Sequence, residues 1–485
     1  MARVVVVGAG MSGLATAARL GDFGHQVTVF EQQAAVGGRI GSYSRDGFTF
    51  DTGPALFTLP AVYRDLFRKT GRPLEREVDL LPADPAFQYR FPDGSLLDVP
   101  NASRAGAVRA LNEALGGDSG AAWQAVVEHG RQVWHALRSP YLTAVPSRRE
   151  LARLARPETL RALTPRQSLR AVALRLLADP RLRAMLELAA PGADPRRAPG
   201  ALTAIPYLHQ TFGRWYVAGG MRRLVDAVHS RAVEHGAAVQ TGRRVDEVLV
   251  DSGRTRGVRL ADGTTVAADV VIAAVDARHL YGDLLPAAAG RGARRATARL
   301  APSPSTFSLL LALREAPRLP HHTVLVAADR EAQLDAVFGP DPAPPEEPTV
   351  DIIAAEEPAV RPSADARPWT VRVTVPGQGL VDWTAPGVAA AYADRIMATL
   401  ATHGLDVRDQ VSWRVVRTPH DLLRSTGAPG AWGNALDGVR SIWRRPGNRT
   451  PVHGLFLVGS STHPGPGLPL VGLSSAIVAD LVGRA

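Results

Sequence analysis

The apolar run "RVVVV" at residues 3–7 is β-branched and too short for a helix, so it predicts a strand buried on both faces of a parallel sheet. After a cluster of glycines, apolar residues continue at helical spacing through 15–20, and "HQVTVFE" predicts a second strand that ends at Glu31. Strand, helix and strand within about 30 residues make a βαβ unit of the length a dinucleotide-binding fold needs. Runs of the same type return at 245–250, 270–274 and 455–458. A sheet built from all of them is discontinuous in sequence. Between them, residues 90–214 read as mostly helical, with Arg-rich amphipathic stretches. Residues 286–439 mix strand-like runs ("TFSLLLAL", "WTVRVTV") with Pro-rich loops such as "GPDPAPPEEP". The expected class is α/β, with a Rossmann-like domain in three pieces (1–90, 215–285 and 440–485) and an α+β domain in two (91–214 and 286–439). Two domains also suit the length of 485 residues, since single cores stop growing at about 250–300.

The glycines carry chemistry. Gly8-Ala9-Gly10-Met11-Ser12-Gly13 has the Gly-x-Gly-x-x-Gly spacing: Gly8 for the tight turn, Gly10 for approach of a phosphate to the backbone, Gly13 for packing helix on strand. The helix start then offers free N–H groups and a positive dipole to a pyrophosphate. Glu31, about 20 residues on, is placed to accept ribose hydroxyls, with Gln32 beside it. Gly37-Gly38-Arg39 suits the second phosphate of an extended FAD rather than NAD, and Asp51-Thr52-Gly53-Pro54, followed by Ala55, again asks for close backbone approach. Near the other end, "GLFLVGSSTHPGPGLPLVGLSSAIVADLVG" predicts a strand, a Gly/Pro-rich loop from Gly459 and Ser460, and a helix starting near Leu470 and Val471. That helix start would favour the negative charge of a reduced flavin. His463 in this loop is a candidate proton acceptor or, equally, a loop-holding residue.

Composition narrows the chemistry. With no cysteine, disulfides, thiolate nucleophiles and iron–sulfur sites are excluded, so the redox group is a bound cofactor. The net charge is +10, carried almost wholly by arginine; the one lysine, Lys69, reads as the solvated end of a helix. Residues 147–197 hold 12 arginines against 5 acids. There Leu154, Leu160, Leu163, Leu169, Leu176 and Leu177 sit among arginines, as a face lying on an anionic bilayer would; the alternative is a soluble amphipathic helix pair. No run approaches a membrane span. The N-terminal apolar stretch resembles a signal peptide, but its glycines fall at dinucleotide-loop spacing and a charged strand follows, so a cytoplasmic, peripherally membrane-associated protein is expected. No nucleic-acid partner and no metal are expected, the pair His321-His322 lacking a second ligand cluster.

Taken together, "EQQAAVGGRI", "DGFTFDTGP", "WYVAGGMRRLVDAV", "HHTV" from His321, "VDWTAPG" and "GLFLVGSSTHPGPGLP" resemble the bacterial phytoene desaturase family, nearly end to end. Flavin amine oxidases share the first two motifs; the Thr462-His463-Pro464-Gly465 loop resembles the carotenoid branch. The resemblance implies noncovalent FAD in a fold of the glutathione reductase and amine oxidase type, with a membrane-associating substrate domain. It also implies a hydrophobic polyene as substrate, and oxygen or a quinone as terminal acceptor. Contacts carried over are Gly8, Ala9, Gly10, Ser12, Gly13, Glu31, Gly38, Arg39, Gly53, Pro54, Val245 by its backbone, and the loop 459–471. Tyr207, Trp215 and Tyr216 are candidates for a polyene tunnel. Where many phytoene desaturases have Ala and a later Lys, this chain has Pro466 and Leu473-Ser474-Ser475-Ala476. That departure points to later, hydroxylated or partly conjugated carotenoids. The alternatives are a flavin amine or alcohol oxidase, and an FAD-bearing protein that only isomerises or carries polyenes.

Overall fold

The computed structural model describes residues 1–142 and 166–485. Its centre is a five-stranded parallel sheet in the order Leu455–Leu457, Val270–Ala273, Arg3–Val7, Gln26–Phe30, Ala238–Gln240. Arg3–Val7 is flanked on both sides, pairing Val4 with Val27 and with Val270. Its valines therefore serve two cores. Val4 and Val6 face the helices Met11–Asp22, Arg222–Glu234 and Leu468–Val482. Val5 and Val7 face a second cluster that includes Val248, Val258 and Leu280. Each buried valine contributes on the order of 1.5–3 kcal/mol relative to exposure.

One expected strand belongs elsewhere. Val245–Asp251 pairs antiparallel with Arg254–Leu260 in a separate three-stranded sheet rather than joining the parallel one. The alternation in "VDEVLVD", with Asp246 and Asp251 exposed, is that of a sheet wet on one face.

A seven-stranded sheet forms the other large layer, in the order Val411–Arg417, Ser305–Leu313, Arg367–Val375, Val350–Ala354, His322–Leu325, Phe87–Arg90, Leu96–Val99. One face buries Phe307, Leu309, Trp369, Val371, Val350 and Ile352 against the helix Val388–Thr402. Phe87–Arg90 lies in this sheet, parallel to His322–Leu325, so the chain crosses to the second layer before residue 90, the boundary expected from sequence. It crosses back at Trp215–Val217, which pairs with Leu80–Pro82.

Helices Arg104–Leu115, Ser119–Leu142, Leu169–Leu176, Pro180–Leu188 and Ala204–Phe212 cover one end of the seven-stranded sheet. Ser103, Ser168 and Asp179 cap three of them. The lipid-facing reading of the leucines fails where it is described: Leu169 and Leu177 are 1% and 2% exposed in the core beneath these helices, and Leu176 packs against it. Leu154, Leu160 and Leu163 lie outside the described residues. Nearby arginines are also engaged, Arg170 with Glu187 and Glu331, Arg181 with Asp179 and Asp93, Arg196 with Asp194 and Asp335. Among the described residues no helix is long and apolar enough to cross a membrane. Lys69 ends the helix Ala61–Lys69 in solvent, paired with Asp65 at 3.1 Å.

Candidate active site

A cleft of about 530 Å³ opens at the C-terminal edge of the parallel sheet, where the strands hand over to their loops. That is the edge at which open α/β sheets take ligands. At its base Gly8, φ +101°, donates its N–H to Phe30 and turns the chain under Ala274; a Cβ at Gly8 would lie 2.9 Å from the Ala274 carbonyl oxygen. A Cβ at Gly13 would lie 2.0 Å from the Gly8 carbonyl oxygen, so only glycine lets this helix sit so near the turn. The helix Met11–Asp22 begins at Gly10 with no side-chain cap and no acid in its first turn. Its amides and dipole are left for an anion.

Glu31, 7% exposed, is fixed by two backbone donors: the Ala9 N–H reaches Oε2 at 2.7 Å and the Gln33 N–H reaches Oε1 at 2.9 Å. Each oxygen keeps a lone pair for a ribose hydroxyl. Arg39 donates from Nη2 to the Gly430 carbonyl at 2.6 Å and from Nη1 to that of Ala431. Its guanidinium thus ties the glycine segment to a loop almost 400 residues away, and burial pushes its pKa down to about 10. The helix Leu468–Val482 points its acid-free N-terminal turn at the cleft through Gly467, Leu468, Pro469 and Val471. Tyr63 holds that turn by donating to the Leu468 carbonyl at 2.9 Å.

Of the residues expected from sequence, the wall contains Gly8, Gly10, Met11, Ser12, Glu31, Gln32, Gly38, Arg39, Pro54, Val245, Gly459, Ser460 and Val471. Ala9 and Gly13 lie behind it, orienting Glu31 and seating the helix. Gly53 is also behind; a Cβ there would lie 1.8 Å from the Arg39 carbonyl oxygen. Ala55 lines a small neighbouring cavity with Asp51, Tyr216, His321 and Glu357, and Leu470 packs beside the cluster of Leu59 and Trp134. His463 is 5% exposed and is not on the wall. Its amide donates to Pro446, and its carbonyl accepts from Asn448 and Ser474, so its backbone anchors the loop. The tunnel aromatics are also behind the wall: Tyr216 stacks on His321 at 4.3 Å, the Trp215 indole donates to Phe212, and Tyr207 packs among the helices. Among the described residues no acid–histidine cluster could hold a metal.

The far wall was not foreseen. It comprises Leu56, Phe57, Thr58, His209, Arg214 and Trp432, with Arg244, Asp276 and His279, and it meets Pro466 of the expected loop. No local pattern marks these residues, because separate loops deliver them. Arg214 follows Gly213, which ends the helix Ala204–Phe212 at φ +71°. Its Nη1 donates to His322 Nδ1 at 2.5 Å and to the Ala86 carbonyl at 3.1 Å, and the guanidinium lies 4.0 Å from the centre of the Phe87 ring. His322 Nε2 then donates to Asp351 Oδ1 at 2.9 Å. Burial, together with Arg214, pushes the His322 imidazole down to about 4. Burial alone would raise Asp351, but His322 and the nearby arginines outweigh it and hold the carboxylate below its usual range. The cleft therefore joins a dinucleotide cradle to a wall part apolar and part cationic.

The sequence profile of the flavin containing amine oxidoreductase family matches residues 11–469. The chain is 33% identical to a zeta-carotene-forming phytoene desaturase of Myxococcus xanthus, covering 99% of this chain and 93% of that one. It is 31% identical to a hydroxyneurosporene desaturase of Cereibacter sphaeroides, covering 99% and 98%. A solved putrescine oxidase redesigned in its cofactor binding superposes with a TM-score of 0.69 at 17% identity, over 100% of this chain and 99% of that one, which shows the shared fold. The uncapped helix, the tethered Glu31 and the glycine cradle all fit FAD, and the chain is an FAD-dependent oxidoreductase belonging to the flavin containing amine oxidoreductase family.

Proposed function

We propose that the protein is a carotenoid desaturase, with residues 1 to about 86, 215–285 and 440–485 holding FAD and the rest forming the substrate side. The observation that carries this reading is full-length similarity to carotenoid desaturases, at 33% and 31% identity. The cleft agrees with it. Beyond the cradle its wall offers Leu56, Phe57, Trp432, Pro466 and Leu468 to an apolar chain. Bound FAD would supply the acceptor for a hydride leaving an allylic carbon of the polyene, while the adjacent carbon loses a proton so that the double bond forms. The protein's part is to orient a substrate without a charged handle, to exclude water, and to set the positive end of the helix Leu468–Val482 where negative charge gathers. Pro466, which fixes its own φ, stiffens this loop and favours a late, hydroxylated or partly conjugated carotenoid over phytoene. The polyene is taken from the surface of a membrane to which the basic chain binds peripherally from the cytoplasmic side, and the electrons pass to oxygen or a quinone.

The test is expression in hosts that accumulate phytoene, lycopene or a 1-hydroxylated acyclic carotenoid. Desaturation appears as a red-shifted pigment, and the purified enzyme's flavin bleaches anaerobically with the same polyene. Bleaching by a water-soluble amine and by no polyene makes the protein an amine oxidase instead. Sedimentation with anionic vesicles, weakened by salt, tests the peripheral attachment.

A further inference from the structure

The far wall carries more charge than an apolar substrate needs. On the seven-stranded sheet the register aligns Asp351, Arg372, Ser308 and Arg417 in one row, on the face opposite the core that packs on Val388–Thr402. His322 stands on the same face and donates to Asp351. Because His322 Nδ1 accepts from Arg214, this imidazole is neutral, and Arg214 keeps a full positive charge. Asp351 is shared: Arg372 is its cross-strand partner and sends its own Nη1 to the Gly53 carbonyl at 3.0 Å, directly before Pro54 of the cleft wall.

Both hydrogen bonds that the Arg214 guanidinium makes to the protein come from Nη1, so Nε and Nη2 are left for whatever fills the cleft. Beside it His209 lines the same wall, kept neutral by burial. A guanidinium with unmet donors in a site from which a polyene expels water is costly. The cost is offset when the ligand brings an acceptor oxygen. Arg214 adjoins Trp215, whose backbone exchanges hydrogen bonds with Phe57 of the wall, so the oxygen would sit beside the apolar stretch Leu56-Phe57 of the cleft.

We infer that Arg214, held by His322 and Asp351, is a specificity-determining residue that hydrogen-bonds a hydroxyl or carbonyl oxygen on one end of the polyene. It thereby places the oxygen-bearing end, not the middle of the chain, in the cleft. The inference rests on the desaturase reading above.

The experiment compares kcat/KM for a 1-hydroxylated acyclic carotenoid and for the same hydrocarbon without the hydroxyl, in matched vesicles, with wild type, Arg214→Met and Arg214→Lys. Wild type should favour the hydroxylated substrate by about tenfold or more, the size of one charge-assisted hydrogen bond. The ratio should fall toward unity in Arg214→Met and recover in part in Arg214→Lys. A wild-type ratio near unity overturns the inference whatever the variants do. So does an Arg214→Met that slows both substrates equally, or that shifts the flavin absorbance, which would assign the guanidinium to the fold or to the flavin. If no polyene reduces the flavin, the desaturase reading fails. Equilibrium binding of the two polyenes, read by tryptophan quenching, then still decides the anchor: equal affinities overturn it and a preference for the hydroxylated one sustains it.

Discussion

Glu31, buried, and Asp51, half-buried, are carboxylates near the cleft with opposite consequences. Glu31 is held by the amides of Ala9 and Gln33 on the wall of the cleft. Glu31→Ala removes an acceptor for two hydroxyls and frees two amides, so FAD affinity should fall by about 1–3 kcal/mol in ultrafiltration or fluorescence titration; unchanged affinity would place the ribose elsewhere. Asp51 has a different environment. Burial raises its pKa from 3.8 to about 7, against the opposing hydrogen bonds from the Met221 amide. A carboxyl whose folded pKa exceeds its unfolded one takes up a proton on folding between the two values. Its favourable contribution is complete below about pH 4 and is lost as pH rises through 7. Asp51→Asn keeps an acceptor for Met221 but cannot ionise. Its denaturation midpoint relative to wild type should therefore climb from pH 5 to pH 8; parallel curves would mean that Asp51 stays charged.

At the scale of elements, the helices and sheets differ in what the sequence reveals. The strand Arg3–Val7 was legible because burial on both faces leaves an unbroken apolar run. The Gly8–Gly13 turn was legible because steric needs there admit only glycine. Placement of the strand Val245–Asp251 was not, since its valines alone do not say which sheet receives them. The polar row was hidden for a related reason: Asp351 in "VDIIA" and Arg372 in "RPWTVRVTV" occupy alternate strand positions, which read as an ordinary wet face. Only the register shows that these charges face one another across a covered sheet. Within the described part of the Arg-rich stretch, the leucines were misread as lipid-facing because charge was counted without partners. Glu187, 5% exposed at the end of Pro180–Leu188, takes a bidentate grip from Arg170 and lies 3.6 Å from Arg330. Glu187→Ala should cost roughly 3–5 kcal/mol in urea denaturation, because two part-buried guanidiniums each lose a carboxylate, and Arg170 keeps only the exposed Glu331. Glu187→Gln, which keeps an acceptor, should cost less. Equal, small losses would make the network a surface ornament.

At the scale of the whole molecule, the parallel sheet is closed by its last-made strand. Leu455–Leu457 pairs with Val270–Ala273, and Leu468–Val482 packs on Met11–Asp22. The Ala485 amide donates to the Phe23 carbonyl at 3.0 Å, so the tail is fastened to the end of the first helix. On the ribosome, then, the phosphate turn emerges well before the loop and helix that complete its cavity, and waits for them. Cofactor loading is in effect a check that both sides of the cavity have been made. A truncation ending at residue 450 should be recovered colourless, even where circular dichroism shows that its seven-stranded sheet has formed. Stoichiometric flavin in that fragment would show that the amino-terminal cradle closes by itself.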